Sequence, residues 1–209
     1  MKRILLRLLF ILVIVSCEEP ITFSEPQPAK TKSLAKFPSS LCGKYLSLDK
    51  ESYVTINPKN MTVIYDYDVK VVKDSLDKKY WLKGDTLFLD STGTYEIVSI
   101  KNDTIIKHIY QTDTLFEVCN TNVLKKFKGH FFLNYPWLHN EWIVRELTLV
   151  KGILSIADIN TKDGLLLLNE IKETPNDTMS YGIKISKRQF KDFLKVDGFH
   201  EAKYYVKVR

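Results

Sequence analysis

Short runs of β-branched and aromatic residues, each cut off by a turn signal, constrain this chain more than any other feature. Tyr53-Val54-Thr55-Ile56 stops at Asn57-Pro58-Lys59-Asn60, and Met61-Thr62-Val63-Ile64-Tyr65 then resumes as far as Asp66. Leu87-Phe88-Leu89 runs to Asp90-Ser91-Thr92-Gly93, and Tyr95 through Ile100 runs to Lys101-Asn102-Asp103. Such segments, separated by Asn, Asp, Gly and Pro, read as consecutive antiparallel strands. In the last of them Tyr95, Ile97 and Ser99 share one face, with Glu96, Val98 and Ile100 on the other. The fold expected is mainly β: antiparallel meander sheets with a short C-terminal helix. That helix is placed at Ser186 to Val196, where Ser186 stands at the cap and Phe190, Phe193 and Leu194 fall at helical spacing. Asp197-Gly198 ends it, and Tyr204 to Val208 reads as a closing strand. A second helix is expected within Asn120 to Lys128.

Asp-Thr pairs at Asp85-Thr86, Asp103-Thr104, Asp113-Thr114 and Asp177-Thr178 read as hairpin corners, an aspartate accepting backbone N–H bonds before a strand-starting threonine. They lack the dense oxygen-ligand loop of a calcium site. The second half also echoes the first. Gly43-Lys44-Tyr45-Leu46 stands against Gly129-His130-Phe131-Phe132, and Tyr95 to Ile100 against Tyr181 to Ser186, both at an offset of 86. The echo suggests two tandem small barrel- or sandwich-like units over 37–122 and 123–209. Chance similarity between apolar strands is its rival.

The N-terminus carries a different kind of signal. Lys2, Arg3 and Arg7 precede an unbroken apolar run from Leu8 to Val15, too short for the roughly 20 residues of a membrane span. It fits the charged and apolar regions of a secretory signal. The run closes with Ile14-Val15-Ser16-Cys17, which resembles the lipobox of bacterial lipoproteins. The resemblance implies cleavage after residue 16 and a diacylglyceryl group on Cys17. Glu18-Glu19 resembles the acidic surface-export signals of some lipoproteins of the Bacteroidetes, and the whole layout resembles lipoproteins of Flavobacterium type. Attachment to the outer membrane is the implied address, with the leaflet open. Residues 17–36, with Pro20, Pro26 and Pro28 and few large apolar side chains, read as a flexible tether.

Charge and cysteines narrow the function classes. The formal +6 falls to near +3 once Lys2, Arg3 and Arg7 leave with the signal. Acids and bases alternate through the body, without the clustered positive footprint of a nucleic-acid surface. Membrane lipid through Cys17 and another envelope protein or glycan are the partners expected. Cys42 and Cys119 form a candidate disulfide in an oxidising compartment, or else two buried thiols.

No catalytic residue, metal or cofactor is indicated. The histidines His108, His130, His139 and His200 form no spaced ligand set, and neither a nucleophile elbow nor a phosphate loop is present. The densest local composition is His130 to Trp142. Its Tyr135, Trp137, His139 and Trp142 are the candidate binding residues, against the alternative that they fill a β core. The leading reading is a non-enzymatic binding or structural lipoprotein of the envelope. One alternative is an envelope hydrolase acting on a glycan or peptide, which requires His130 or His139 within about 3 Å of a carboxylate or hydroxyl inside a pocket. Another is a carrier of a small apolar ligand. Gly43-Lys44-Tyr45 and Gly129-His130-Phe131 are superficially like the opening of lipocalin-type barrels, and that reading requires an interior cavity. Replacing Cys17 with serine is expected to abolish acylation, read as loss of the lipid mass from the purified protein.

Overall fold

A computed structural model describes residues 20–89, 92–171 and 182–208. The leader, Cys17, and the Asp177-Thr178 and Tyr181 positions lie outside the described residues. The architecture is mainly β, antiparallel and meander-like, in two sheets with a short C-terminal helix.

The strands in chain order are β1 (Ser33–Leu34), β2 (Gly43–Ser47), β3 (Ser52–Ile56), β4 (Asn60–Val72), β5 (Tyr80–Lys83), β6 (Thr86–Leu89) and β7 (Thr94–Ile97). There follow β8 (Ser99–Lys101), β9 (Thr104–Glu117), β10 (Val123–Phe127), β11 (His130–Pro136), β12 (Trp142–Val150), β13 (Ile153–Asp158) and β14 (Glu201–Lys207). Among the described residues two helices, α1 (Thr161–Ile171) and α2 (Lys187–Lys195), lie between β13 and β14. The large sheet runs β1-β10-β11-β12-β13-β14-β2-β3-β4-β9-β8, and β5-β6-β7 form the small one.

Two clusters fill the molecule. Tyr45, Val54, Met61, Phe116, Leu124, Leu133, Leu147 and Leu154 belong to one buried core, so strands from opposite ends of the large sheet meet. The Tyr135 hydroxyl donates to the Leu115 carbonyl at 2.9 Å across that curl. The Phe116 ring packs edge-on against Phe37 and Tyr135. On the other face of β11 to β13, Phe132, Val144 and Ala157 pack with Ile21, Phe23, Leu168, Phe190, Phe193 and Phe199. Successive side chains of a strand point to opposite faces. The continuous Phe131-Phe132-Leu133 run is therefore a strand covered on both sides, all three residues being buried.

A boundary between residues 122 and 123 cuts through this single sheet and single core. β14 hydrogen-bonds to β2 through the Tyr205–Ser47 to Lys207–Tyr45 register, and β1 pairs with β10. The expected two units thus do not have separate cores, because each half supplies strands that complete the other. The 86-residue echo also diverges at its second match. Thr94–Ile97 is a strand, whereas Ile183 makes an isolated bridge and Ser186 caps a helix.

The tether reading is corrected from residue 20 onward. Ile21, Thr22, Phe23, Gln27 and Ala29 are buried. Phe23 exchanges both backbone hydrogen bonds with Trp142, at 2.9 and 2.8 Å. Asn134 Oδ1 accepts from Gln27 N–H at 2.6 Å, while its Nδ2 donates to the Gln27 carbonyl at 3.0 Å. Lys125 is a buried base whose ammonium donates to the Pro26 and Pro28 carbonyls at 2.6 and 3.0 Å. Proline brings no N–H to satisfy, so this segment buries with few donors to place. Local composition misleads here because the surface that receives the segment lies about a hundred residues away.

The C-terminal helix forms as expected. Ser186 and Gln189 make a reciprocal capping box, and Phe190 and Phe193 are its buried face. A Cβ on Gly198 would come within 2.3 Å of the Phe193 ring, so only glycine passes there. The second expected helix is instead strand β10, whose Leu124 and Lys125 are buried on opposite faces. Helix α1 is the one the sequence reading missed: Gly164 and four consecutive leucines blur its period. Asn160 caps it through Asp163 N–H at 3.1 Å, and Gly164 is needed because a Cβ would meet Ile159 at 2.3 Å.

Replacing Asn134 with alanine leaves the buried Gln27 N–H and carbonyl unpaired. The expected cost is about 1–3 kcal/mol of unfolding free energy, read from urea midpoints, with earlier proteolytic cleavage within residues 20–36.

Candidate functional site

The small sheet carries the most distinctive exposed surface among the described residues. Gly84, with φ of 63°, and Asp85 make the β5–β6 turn, so the corner expected there is present. Asn102, with φ of 52°, precedes Asp103 at the β8–β9 corner. Asp113-Thr114 is not a corner. It lies inside β9, beside the bulge where the register against β4 shifts.

Trp81 pairs in register with Phe88, and Phe88 with Tyr95. All three side chains therefore stand on one face of a three-stranded sheet. The Trp81 and Phe88 rings are stacked, with centroids 4.0 Å apart and planes within 8°, and Tyr95 follows at 6.1 Å with a 40° tilt. Trp81 is 43 % and Tyr95 63 % exposed, so the row is open to solvent. Lys83 and Ile97 on the same face are also exposed. The opposite face, with Tyr80, Leu87, Leu89 and Glu96, lines a cavity of about 140 Å³ against Lys107 of β9. Lys107 donates to Glu96 at 2.6 Å. Stacked pairs of this kind contribute about 0.5–1.5 kcal/mol beyond area burial, which holds the row together without a second layer above it.

The aromatic segment singled out in the sequence divides. Tyr135 is partly buried, with the Arg145 guanidinium 5.5 Å from its ring centre. Burial first pushes its hydroxyl up to about 12. Trp142 is half-buried in the rung with Phe23. Trp137 and His139 remain exposed on the turn between β11 and β12. The four are thus not one surface: Tyr135 belongs to the core, Trp137 and His139 to the turn.

Tyr135 also borders a small inner cleft of about 70 Å³ with Met61, Val63, Ile156, Arg145, Asp158 and Lys203. Arg145 Nε donates to Asp158 at 2.6 Å. A pocket for a small molecule is ordinarily about 300–1,000 Å³. Among the described residues this cleft is well below that size.

Two further constellations bear on chemistry. His130 Nδ1 lies 2.6 Å from Glu146 Oε1, the separation the hydrolase reading requires. Burial raises the Glu146 carboxyl above its ordinary value, while the bond to His130 opposes that shift. Neither residue, however, lines any of the described pockets. His108 on β9 faces Asp68 at 3.0 Å and Asp66 at 3.7 Å, all exposed. No group of three or more ligating side chains converges among the described residues.

Cys42 and Cys119 are free thiols, so the candidate disulfide is not formed. Cys42 Sγ donates to the Pro38 carbonyl at 3.5 Å, and Cys119 Sγ lies 3.1 Å from Thr121 Oγ1. Nor are both buried, since Cys119 is exposed.

The platform was missed in the sequence because its residues are interleaved with other apolar ones. A signal was nevertheless present: Trp81, Phe88 and Tyr95 recur every seven residues. In a meander of short strands and tight turns, that interval returns a side chain to the same place on the same face. No protein-family model, curated protein or solved structure matches this chain.

A raised Glu146 pKa means the folded state holds a proton that the unfolded state has already released. Stability should therefore fall as pH rises from the ordinary carboxylate value of 4.5 through the raised one. Glu146→Gln should remove that part of the decline, measured by urea unfolding of both proteins across the range.

Proposed function

We propose that this protein is a lipid-anchored binding module of the cell envelope whose small sheet holds a glycan on the Trp81–Phe88–Tyr95 row. The observation that carries the reading is that row: three register-paired aromatic side chains, exposed at its Trp81 and Tyr95 ends, on a sheet whose other face turns toward Lys107 of β9. Sugar rings have broad faces of C–H groups and edges of hydroxyls. The stack leaves the outer faces of Trp81 and Tyr95 free at its two ends, on the edge strands of the small sheet, and these suit the sugar faces. Polar side chains such as Lys83 and Thr86, both on the same side of the strands, suit the edges.

The lipobox-like Ile14-Val15-Ser16-Cys17 supports the anchor, and with it placement in the outer membrane. An open row of rings also fits a polymeric ligand better than a small enclosed one. It gives a binding role without requiring catalysis. Among the described residues the His130–Glu146 pair has the geometry a hydrolase requires, but it lines none of the described pockets.

Affinity electrophoresis through gels containing soluble envelope or plant polysaccharides tests the proposal. Retardation by at least one glycan is expected, with about tenfold weaker binding when Trp81 and Tyr95 are both replaced by alanine. Mobility unaffected by every glycan, or retardation that survives the double substitution, would count against it.

A further inference from the structure

The turn between β11 and β12 exposes its two largest apolar side chains, Trp137 and Leu138, the latter at 67 %. Its backbone is held in an unusual way. His139 and Asn140 both take positive φ, 57° and 64°, a region disfavoured for residues with a Cβ. Trp137 N–H donates to the Glu141 carbonyl at 2.7 Å, which closes the turn below the exposed pair. Strained backbone that a closed turn maintains is a common device for presenting a contact residue.

The start of the described chain is fixed against this same turn. The Thr22 hydroxyl donates to the Glu141 carboxylate and accepts from Gly182 N–H at 2.9 Å. Phe23 is bridged to Trp142 on one side and Ile183 on the other. Thr22 lies five residue steps after Cys17, a stretch that spans at most about 18 Å when fully extended. Because residues from Ile21 onward are built into the body, no long spacer stands between the acylated position and this end of the sheet.

One exposed base stands next to that rung: Lys184 follows Ile183 directly. The nearest carboxylate of the turn, Glu141, is engaged by Thr22.

We infer that Trp137 and Leu138 insert into the headgroup region of an anionic bilayer beside the acyl chains, so that the protein rests on the membrane by this end. The inference rests on the lipid-anchor reading. Tryptophan favours the boundary between headgroups and hydrocarbon, and a polar layer of roughly 5–7 Å on each side of the bilayer is thin compared with the 18 Å reach of the chain. The exposed Lys184 beside the rung adds attraction to anionic lipid. A short anchor and an apolar turn then act as two attachments on one rigid body, which fixes its orientation as well as its location. The aromatic row is carried on a separate sheet.

The test uses the full acylated protein in nanodiscs of anionic phospholipid with brominated acyl chains, which quench tryptophan at short range. Mass analysis first establishes the lipid on Cys17. Quenching of part of the tryptophan emission is expected in the wild type and in Trp81→Phe, and its loss in Trp137→Phe. Equal quenching in wild type and Trp137→Phe, or none in either while the acyl mass is present, would overturn the inference and leave the anchor standing. Absence of acyl mass would overturn the anchor, and the membrane-resting orientation with it.

Discussion

The buried amide of Asn134 is the constraint on which the rest of the arrangement depends. It faces the outer side of β11 and holds Gln27 by both N–H and carbonyl, 107 residues away in the chain. Its amide also donates to the Val123 and Phe132 carbonyls. One side chain therefore joins the N-terminal segment, β10 and β11 at a point without solvent. A buried polar group is costly unless satisfied, so a partner elsewhere would not serve, and the position of the N-terminal segment is specified rather than merely permitted. Lys125 repeats the logic one strand away, its ammonium resting on two proline-residue carbonyls.

That fixed segment changes what the body is. A flexible spacer would leave the folded part free to turn at a distance from its attachment. Instead Ile21 and Phe23 complete the cluster formed by Phe132, Val144, Phe190 and Phe193. β11 to β13 consequently have apolar cover on both faces, one from the curled sheet and one from the helices and N-terminal segment. The small sheet turns one face toward Lys107 of β9 and leaves the other open. Its outward aromatic row is therefore the natural place for recognition, while the packed middle supplies rigidity.

Much of the fold was legible from short-range pattern. Turn residues after Ile56, Lys83 and Lys101 marked real strand ends, and Ser186 with Gln189 marked a real helix start, because capping and turn chemistry act within a few residues. Asn120 to Lys128 was misread as helix because five residues of strand with lysines at alternating depth resemble a weak helical period. Helix α1 was lost for the opposite reason: its cover by Ile159 and Ile21 justifies Gly164, and neither contact can be seen in the run Gly164 to Leu168. The site was less legible than the fold. Aromatic density pointed to His130–Trp142, where Phe131 and Phe132 prove to be core, whereas the exposed row is spread over three strands.

The sequence by itself determined that the chain would be strand-rich, where most turns would fall, and that one capped helix would precede the last strand. These follow from backbone preferences and from the two-residue period of side chains, which are local. Only the tertiary structure decided which face of each strand would be covered, that the halves would share a core, and that residues 20–36 would be pinned to Asn134 and Lys125. Those outcomes depend on which distant surfaces meet. A period of two says that a strand has two faces, but it carries no information about what lies against either one.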